Sequence, residues 1–356
     1  MMVYCRKKRV FSVFNRRVFE MRKVFAFISV FCAALMVSGA PVKNSDPEIL
    51  KVKGAKRNYT GVFPPHVKTI AVITPASYPH PKSSRDGIAL LKEAGYKVKV
   101  YPNAFTRPEG VEKDPYTAIP AALRIKDFEA AWNDKENDLI ICSRGGRGTA
   151  ELVAGVNWNK LPRRPELYVM GYSDVTMLLC ALSAKGYGRP VAGPVASSLP
   201  GLSHAMIPQI RKMFHGEALA PIKLKALNPG DCSGKPVAGL LNRFVRSVQN
   251  KYGLETKGKI IIIECVKSKP ENIRLNLDEL LKAKFFDGAA GVVFGHFLKS
   301  GDPKEINAAL KEFAGKVKIP VYRGLPFGHN SRHIAIDFAR KAEIKKGVLY
   351  FPAVKK

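Results

Sequence analysis

The sequence predicts an α/β fold, with an N-terminal, mostly parallel α/β/α sandwich domain and a smaller C-terminal α/β or β-rich domain. Three observations predict this fold class. Short apolar strand patterns alternate with helical patterns, glycine-rich turns follow several of the strands, and a stretch rich in Pro and Gly divides the pattern in the middle. Because ligands of parallel sheets bind beyond the carboxyl ends of the strands, we expect an active site in the cleft between the two domains.

The first half of the pattern is regular. Strand patterns cover residues 67–73, 96–101, 139–142 and 167–170, and helical patterns cover residues 84–94, 121–132, a short segment from Thr149, and 174–185. Such alternation is typical of right-handed βαβ units, which build a parallel sheet covered by helices. Residues 62–222 are therefore predicted to form the N-terminal domain.

The second half has its own strands and helices. Strand patterns cover residues 260–264, 291–294, 320–322, 333–336 and 348–351, and helical patterns cover residues 278–284 and 303–313. Between the halves, Asn-Pro-Gly-Asp and Ser-Gly-Lys-Pro interrupt the apolar pattern. We therefore expect a linker at residues 223–235 and a C-terminal domain at residues 236–356.

Residues 1–40 have the layout of a secretory signal peptide. A basic start near Met21 precedes an apolar run over residues 24–37, and small residues follow up to Ala40. The run is too short to span a bilayer as a helix, which takes about 20 residues. Met21 is an alternative start of the chain. We expect an exported, periplasmic protein, and the alternative is a cytoplasmic protein with an uncleaved amphipathic N terminus.

The chain is strongly basic. Its net charge is +30, and near +23 without residues 1–40, which hold eight Lys or Arg and one acid. This balance favours anionic surroundings, and no Arg-rich helix or aromatic-basic motif indicates nucleic acid, so an anionic cell wall is the expected neighbour. The cysteines beyond the leader lack C-x-x-C spacing and are expected to be free thiols; they are Cys142, Cys180, Cys232 and Cys265.

Two loops of the first half follow predicted strands and hold candidate functional groups. The loop at residues 143–149 contains three glycines, which allow backbone N–H groups to point into a site, although a plain tight turn is the alternative. In Gly-Tyr-Ser-Asp-Val-Thr, a strand-turn-helix would present Ser173 above the sheet. Val175 replaces the second Gly of G-x-S-x-G, and Ser, Asp and Thr are also good helix caps. Ser173 is therefore either a cap or a nucleophile.

A serine nucleophile needs a base that is oriented by an acid. Of the seven histidines, His329 lies in a loop rich in Gly and Pro just after a predicted strand, and His296 is the second candidate. Glu264 closes a run of isoleucines and needs a partner if it is buried, although a structural salt bridge is the alternative. The histidines lack the spacing of metal ligands, and the H-E-x-x-H motif is absent, so no metal site is expected. No cofactor is expected either.

In combination, these motifs resemble the LD-carboxypeptidases, a family of serine peptidases that includes the microcin-immunity hydrolases. The matching segments are Arg-Gly-Gly-x-Gly at 144–148, Gly-Tyr-Ser-Asp-x-Thr at 171–176, a strand ending in Glu264, and Leu-Pro-Phe-Gly-His at 325–329. Residues 72–77, 157–159 and 192–194 also agree with the family pattern. The resemblance covers about residues 66–352.

The resemblance implies a role for each of five residues. Ser173 would be the nucleophile, His329 the general base and acid, and Glu264 the carboxylate that orients His329. The backbone N–H groups of Gly146 and Asp174 would form the oxyanion hole. Ser173 would come from the first domain, and the other two triad residues from the second.

The resemblance also implies a substrate and an assembly. The protein would release the terminal D-alanine from murein tetrapeptides and would form a homodimer. A carboxypeptidase binds a free carboxylate, so Arg144 or Arg147 is a candidate clamp, and a surface charge is the alternative for each. Two other functions stay open: a related serine hydrolase acting on another acyl-amide or peptide conjugate, and a non-catalytic wall-binding protein on the same fold.

The chain departs from the family pattern at four places. Arg147 replaces the usual Tyr of R-G-G-Y-G, and Cys265 replaces the Asp of a Glu-Asp pair. The Gly-Gly-Asn-Leu segment reads Gly-Leu-Leu-Asn-Arg at residues 239–243, and Leu277 replaces a second Arg. The three triad residues are unaffected, so these departures bear on substrate fit.

Overall fold

The computed structural model describes residues 57–354, in which fifteen strands form three β-sheets and eight α-helices cover them. The strands are β1 (Thr69–Ile73), β2 (Lys97–Val100), β3 (Leu139–Cys142), β4 (Tyr168–Gly171), β5 (Arg189–Ala192), β6 (Ile222–Lys223), β7 (Lys225–Asn228), β8 (Cys232–Gly234), β9 (Pro236–Leu240), β10 (Ile260–Val266), β11 (Gly291–Leu298), β12 (Val321–Arg323), β13 (Ile336–Asp337), β14 (Ala342–Lys345) and β15 (Val348–Tyr350). The helices are α1 (Pro81–Glu93), α2 (Ala121–Asn133), α3 (Thr149–Gly155), α4 (Thr176–Lys185), α5 (Met206–Phe214), α6 (Leu241–Gln249), α7 (Pro270–Lys282) and α8 (Pro303–Gly315).

The predicted leader lies outside the described residues, so the export inferred from it stays a prediction, as does the homodimer. No helix within residues 57–354 is long and apolar enough to cross a membrane.

The first sheet has the order β13-β5-β4-β3-β1-β2. Strands β1 to β5 are parallel, and β13 pairs antiparallel with β5. Every residue of β1, β3 and β4 is buried, as expected for a parallel sheet covered on both faces. Helix α4 is buried from Thr176 to Leu182, because it contacts β5 on one side and β9 and α6 of the second half on the other.

The second sheet has the order β7-β12-β11-β10-β9, in which β9 to β12 are parallel and β7 is antiparallel. A third, antiparallel sheet has the order β6-β15-β14-β8. The stretch at residues 223–235, which we expected to be a linker, contributes β7 to the second sheet and residues of β6 and β8 to the third. The α/β class with two parallel sheets is confirmed, and the domain boundaries stay predictions.

Several elements were not predicted. Strand β5 is short and contains Pro190, which lowers its strand signal, and α6 begins without a side-chain cap. Helix α7 is longer than the predicted segment and starts at Pro270. Of the short strand expected at residues 333–336, only Ile336 lies in a strand, β13, which joins the first sheet instead of the sheets of the second half.

The β13 strand ties the end of the chain to the first sheet. Ile336 pairs with Ala192, and Asp337 pairs with Val191. The carboxylate of Asp337 is buried, and its Oδ2 accepts hydrogen bonds from Nε and Nη2 of Arg189 at 2.9 and 2.6 Å. The strand pairing and the ion pair together fix the second half against the β5 edge.

Replacing Asp337 with Ala should destabilise the fold strongly. The Asp337 side chain is buried, whereas that of Arg189 is 28% exposed, so we expect the cost of losing a hydrogen bond to a charged group, about 1.5–3 kcal/mol of unfolding free energy. Glu136→Ala is the control, because the exposed Glu136 pairs with Lys97 and Lys99 at the surface, and such pairs contribute about 0–1 kcal/mol each. Urea unfolding of both variants measures the difference, and equal midpoints would contradict the assigned role of Asp337.

Candidate active site

Ser173 lies on a sharp turn between β4 and α4. The strand ends at Gly171, Tyr172 is extended, and Ser173 has a φ of +66°, which is unusual for a residue other than glycine. A 3-10 turn over Ser173–Val175 then leads into α4. Backbone of this kind costs about 1–3 kcal/mol and persists where the surrounding structure fixes it. The turn places the serine at the carboxyl end of the first sheet.

A chain of hydrogen bonds joins Ser173 to the second half. Its Oγ lies 2.9 Å from Nε2 of His329, and Nδ1 of the same ring lies 2.8 Å from Oε2 of Glu264. Glu264 lies on β10, and His329 lies in the loop after β12, so both lie toward the carboxyl end of the second sheet. The Glu264 side chain is 2% exposed and the His329 side chain 19%, so one end of the chain is buried and the other is open.

The glycine-rich loop after β3 lies directly against the serine. A Cβ added to Gly145 would lie 2.8 Å from Cβ and 3.1 Å from Oγ of Ser173, so no side chain fits there. Gly146 has a φ of +122°, and a Cβ on it would lie 2.2 Å from Oγ of Ser77. That same Oγ accepts the N–H of Arg147 at 2.9 Å. The glycines of this loop therefore allow its backbone to lie directly against Ser173 and Ser77.

Asp and Thr are good helix caps, and Asp174 and Thr176 were expected from the sequence to help start α4, but neither side chain caps this helix. Asp174 is buried, and its Oδ2 accepts the N–H of Thr149, the first residue of α3, at 2.9 Å. Its Oδ1 lies 2.6 Å from Nε of Arg243 on α6. Thr176 Oγ1 accepts the N–H of Leu240 at 3.1 Å. Both side chains therefore connect other segments to the serine turn.

Tyr172 and His333 pack around the histidine. The ring of Tyr172 lies 5.0 Å from the ring of His329 and 4.7 Å from that of His333, measured between centroids. Burial and the nearby Glu264 raise the pKa of Tyr172 to about 12, so its hydroxyl stays neutral. Beside these rings is an open pocket of about 200 Å³, which Pro194, Leu202 and neighbouring residues complete.

Arg144 and Arg147 lie on the glycine-rich loop and flank the ring of Tyr116, at 5.2 and 5.3 Å from its centroid. Nη1 of Arg144 donates to the carbonyl oxygens of Tyr78 and Pro115, both at 2.8 Å. Arg147 is mostly exposed and pairs with Asp114 at 3.1 Å. Neither guanidinium hydrogen-bonds to Ser173, His329 or Glu264, so neither arginine is part of that hydrogen-bonded chain.

The second histidine candidate lies behind the site. His296 is on β11. A Cβ added to Gly328 would lie 3.3 Å from the Cβ of His296. Its buried Nε2 has no hydrogen-bond partner among the described residues, and neither does Oε1 of Glu264.

Within residues 57–354, no group of three or more His, Cys, Asp or Glu side chains could hold a metal ion. The four described cysteines are free thiols, and Cys232 is the partly exposed one.

Sequence reasoning missed two side chains that shape the site. Ser77 supports the glycine-rich loop, and Arg243 pairs with Asp174. Both occur in segments that we compared with the family pattern, but only their position in the folded chain indicates what they contact. The one available signal was the need of a buried Asp for a cationic partner.

Comparison with known proteins agrees with this geometry. Residues 70–191 match the LD-carboxypeptidase N-terminal domain, and residues 233–344 match the LD-carboxypeptidase C-terminal domain. The chain is 28% identical over 288 residues to the probable murein peptide carboxypeptidase of Bacillus subtilis, covering 77% of this chain and 88% of that protein. It is 24% identical to the murein tetrapeptide carboxypeptidase of Pseudomonas aeruginosa, covering 65% of this chain and 80% of that protein.

Solved structures share the fold. The muramoyltetrapeptide carboxypeptidase from Oxalobacter formigenes aligns with a TM-score of 0.69 at 23% identity, over 80% of this chain and 100% of that one. The structure of MccF in complex with glutamyl sulfamoyl guanosine aligns with a TM-score of 0.69 at 16% identity, over 81% of this chain and 96% of that one. The resemblance inferred from the motifs is confirmed, and the two domain matches together establish that this chain belongs to the LD-carboxypeptidase family.

Proposed function

We propose that this protein is a serine-type LD-carboxypeptidase that releases the terminal D-alanine from murein tetrapeptides. The observation that carries the proposal is the hydrogen-bonded chain from Ser173 through His329 to Glu264. Nucleophile, base and orienting acid are in contact in the order that acyl transfer needs. The names of the relatives in Bacillus subtilis and Pseudomonas aeruginosa support murein peptides as the substrate.

In this mechanism, Nε2 of His329 takes the proton of Ser173 as Oγ attacks the carbonyl carbon of the peptide bond before the terminal residue. The tetrahedral intermediate collapses when the imidazolium returns that proton to the leaving amine. Water, activated by the same ring, then attacks the acyl-enzyme and frees Ser173. Glu264 keeps the proton of the ring on Nδ1, and its negative charge stabilises the imidazolium.

The oxyanion would be bound by backbone N–H groups. The candidates are those of Gly146 and Asp174, because the first lies in the loop against the serine and the second follows the serine in the chain. Such donors act on the charge that develops in the transition state, and losing one commonly costs about 3 kcal/mol. The close fit of Gly145 against Ser173 keeps this loop within reach of the reacting carbonyl.

Two other histidines near the site are unsuited to be the base. Burial lowers the pKa of His333 to about 3, so this ring stays neutral at any pH at which the enzyme would work. Burial and the charge of Arg332 also lower the pKa of His296, and its Nε2 has no partner among the described residues. His329 is the one that contacts the serine hydroxyl.

A carboxypeptidase also needs a cation for the free carboxylate of its substrate. Arg147 is exposed at the rim of the site and is already oriented by Tyr116 and Asp114. Arg144 is less exposed, and backbone carbonyls occupy its Nη1. We therefore assign carboxylate recognition to Arg147 first, with Arg144 contacting the same Tyr116 ring.

Replacing Ser173 with Ala should abolish hydrolysis of the murein tetrapeptide, because the attacking oxygen is lost. Mass spectrometry of the tetrapeptide after incubation measures the loss of one alanine. Ser233→Ala is the matched control, since Ser233 is an exposed serine on β8 and should leave the activity unchanged. If the parent protein leaves the tetrapeptide intact but cleaves an aminoacyl sulfamoyl nucleotide in a Ser173-dependent way, the chemistry stands and the proposed substrate is wrong.

Arg147→Gln should raise KM for the tetrapeptide and leave kcat nearly unchanged. A hydrogen bond to a charged group contributes about 1.5–3 kcal/mol, which corresponds to a rise in KM of roughly 10- to 100-fold. Arg211→Gln is the control, because Arg211 is also exposed and paired with a carboxylate. Steady-state kinetics with the tetrapeptide and its C-terminal amide provide the measurement. A KM that stays constant in both Arg147→Gln and Arg144→Gln would show that neither guanidinium binds the carboxylate.

The buried, neutral His333 should make the protein less stable in acid. Its pKa is lowered from 6.5 to about 3, so between these values the unfolded chain binds more protons and stability falls as the pH falls. From pH 6.5 to about pH 5, this loss amounts to about 2 kcal/mol of unfolding free energy. His333→Gln should flatten the pH dependence, whereas the exposed His66→Gln should not. Urea unfolding at the two pH values measures this loss for each variant. If the unfolding free energies of the parent and of His333→Gln fall equally between the two pH values, His333 does not cause the loss.

A further inference from the structure

We propose that Arg243 is a positioning residue of the oxyanion hole, and that it neutralises a buried carboxylate beside the place where negative charge develops. The inference rests on the proposed function, because it assigns a task in the same reaction. Arg243 lies in the first turn of α6, which follows directly after β9 at the edge of the second sheet. Its side chain nevertheless reaches two groups of the first half that flank Ser173.

The first of these groups is the carboxylate of Asp174. Nε of Arg243 lies 2.6 Å from Oδ1, and the two side chains are 16% and 1% exposed, so the ion pair is nearly removed from water. Asp174 follows the nucleophile, and its own N–H is a candidate donor to the oxyanion. Without the guanidinium, a buried negative charge would stand next to the forming oxyanion, and it would raise the energy of the transition state more than that of the bound substrate.

The second group is the carbonyl oxygen of Gly146, which accepts a hydrogen bond from Nη2 of Arg243 at 3.2 Å. The peptide unit after Gly146 is thereby fixed on both sides, since its N–H, that of Arg147, donates to Ser77 Oγ at 2.9 Å. A peptide unit fixed on both sides cannot rotate freely, and this limits the direction of the preceding N–H, which is the Gly146 donor. One side chain therefore acts on both candidate donors of the oxyanion hole.

The network also closes the glycine-rich loop at its far end. Oδ2 of Asp174 accepts the N–H of Thr149, where the loop passes into α3. Gly146 and Thr149 are thus both connected to Asp174, the first through the guanidinium of Arg243 and the second directly. Arg243 is the last residue of the segment 239–243, which departs from the family pattern. Its guanidinium contacts the glycine-rich loop, which carries the proposed donor Gly146.

The test is a split between kcat and KM in Arg243→Met, which keeps an unbranched apolar stem and removes the guanidinium with its charge. With the tetrapeptide as substrate, kcat should fall about 100-fold, as for the loss of an oxyanion-hole donor, and KM should change by less than about threefold. Arg243→Lys keeps a charge near Asp174 but not the fork that reaches Gly146, so its kcat should lie between those of the parent and Arg243→Met. Arg246→Met, an exposed arginine on the same helix, is the matched control.

A second-site variant separates charge compensation from folding. In Asp174→Asn/Arg243→Met the uncompensated charge is gone, so kcat should exceed that of Arg243→Met alone. Thermal unfolding of each variant shows whether a loss of activity is caused by a loss of fold. If Arg243→Met is unfolded, the kcat values of Arg243→Lys and of the double variant test the proposal instead. A kcat of Arg243→Met within threefold of the parent value would overturn the proposal. So would an effect on KM alone, which would make Arg243 a substrate contact.

Labelling by a fluorophosphonate keeps the two proposals apart. This reagent phosphonylates an activated serine, and its transition state also needs the oxyanion hole. If the parent protein is labelled at Ser173 but does not cleave the tetrapeptide, the proposed substrate fails, and a labelling rate reduced about 100-fold in Arg243→Met still supports the role of Arg243. Equal labelling rates in parent and variant would overturn it, and a parent protein that is not labelled at all would overturn both proposals.

Discussion

The hydrogen bond between Ser173 Oγ and His329 Nε2 is the constraint on which the rest of the arrangement depends, because its partners come from different sheets. The serine follows β4 of the first sheet, and the histidine follows β12 of the second. The carboxyl ends of two parallel sheets must therefore face each other to within hydrogen-bonding distance. A displacement of about 1 Å at such a site is enough to lower the rate greatly, so the contacts between the halves serve the chemistry as well as the fold.

Buried ion pairs hold the two halves in this relation. Asp174 of the first half pairs with Arg243 of the second, and Asp337 of the second half pairs with Arg189 of the first. Compared with apolar packing of equal volume, buried pairs add little net stability, but a displaced half would leave four charges without partners. The pairs therefore penalise wrong placements of the halves more than they favour the right one. Because the chain has a net charge of +30, cationic side chains greatly outnumber acidic ones. The fold therefore determines which cation each of these two buried aspartates contacts.

Much of this arrangement could be predicted from the sequence, for a physical reason. Parallel strands that are buried on both faces are continuous apolar runs, such as β3 and β10, and their boundaries stand out. Ser173 lies two residues beyond the apolar run of β4, and Glu264 follows the four isoleucines of β10, so both are polar where an apolar run stops. The loop that holds His329 is marked by its Gly and Pro residues in the same way. Local patterns of this kind locate functional side chains at strand ends.

The contacts that no local pattern indicates were missed. The side chains of Asp174 and Thr176 looked like helix caps, because a cap is what an Asp or Thr does for its own segment. Their actual partners, Thr149, Leu240 and Arg243, lie far along the chain and belong to other elements. The same holds for β13, whose two residues carry no sign that they complete the first sheet. Such contacts are specified by the assembled fold and not by neighbouring residues.

The position of β13 has a consequence for how the chain reaches its folded state. Strands β1 to β5 come from residues 69–192, but the β5 edge has no neighbour until the distant residues 336–337 pair with it. An open strand edge is a place where another chain can pair, so a folding intermediate in which β13 has not yet paired presents the β5 edge to other molecules. Contacts of such long sequence separation also slow folding. The short strand β13 therefore keeps the β5 edge of the first sheet from pairing with another chain.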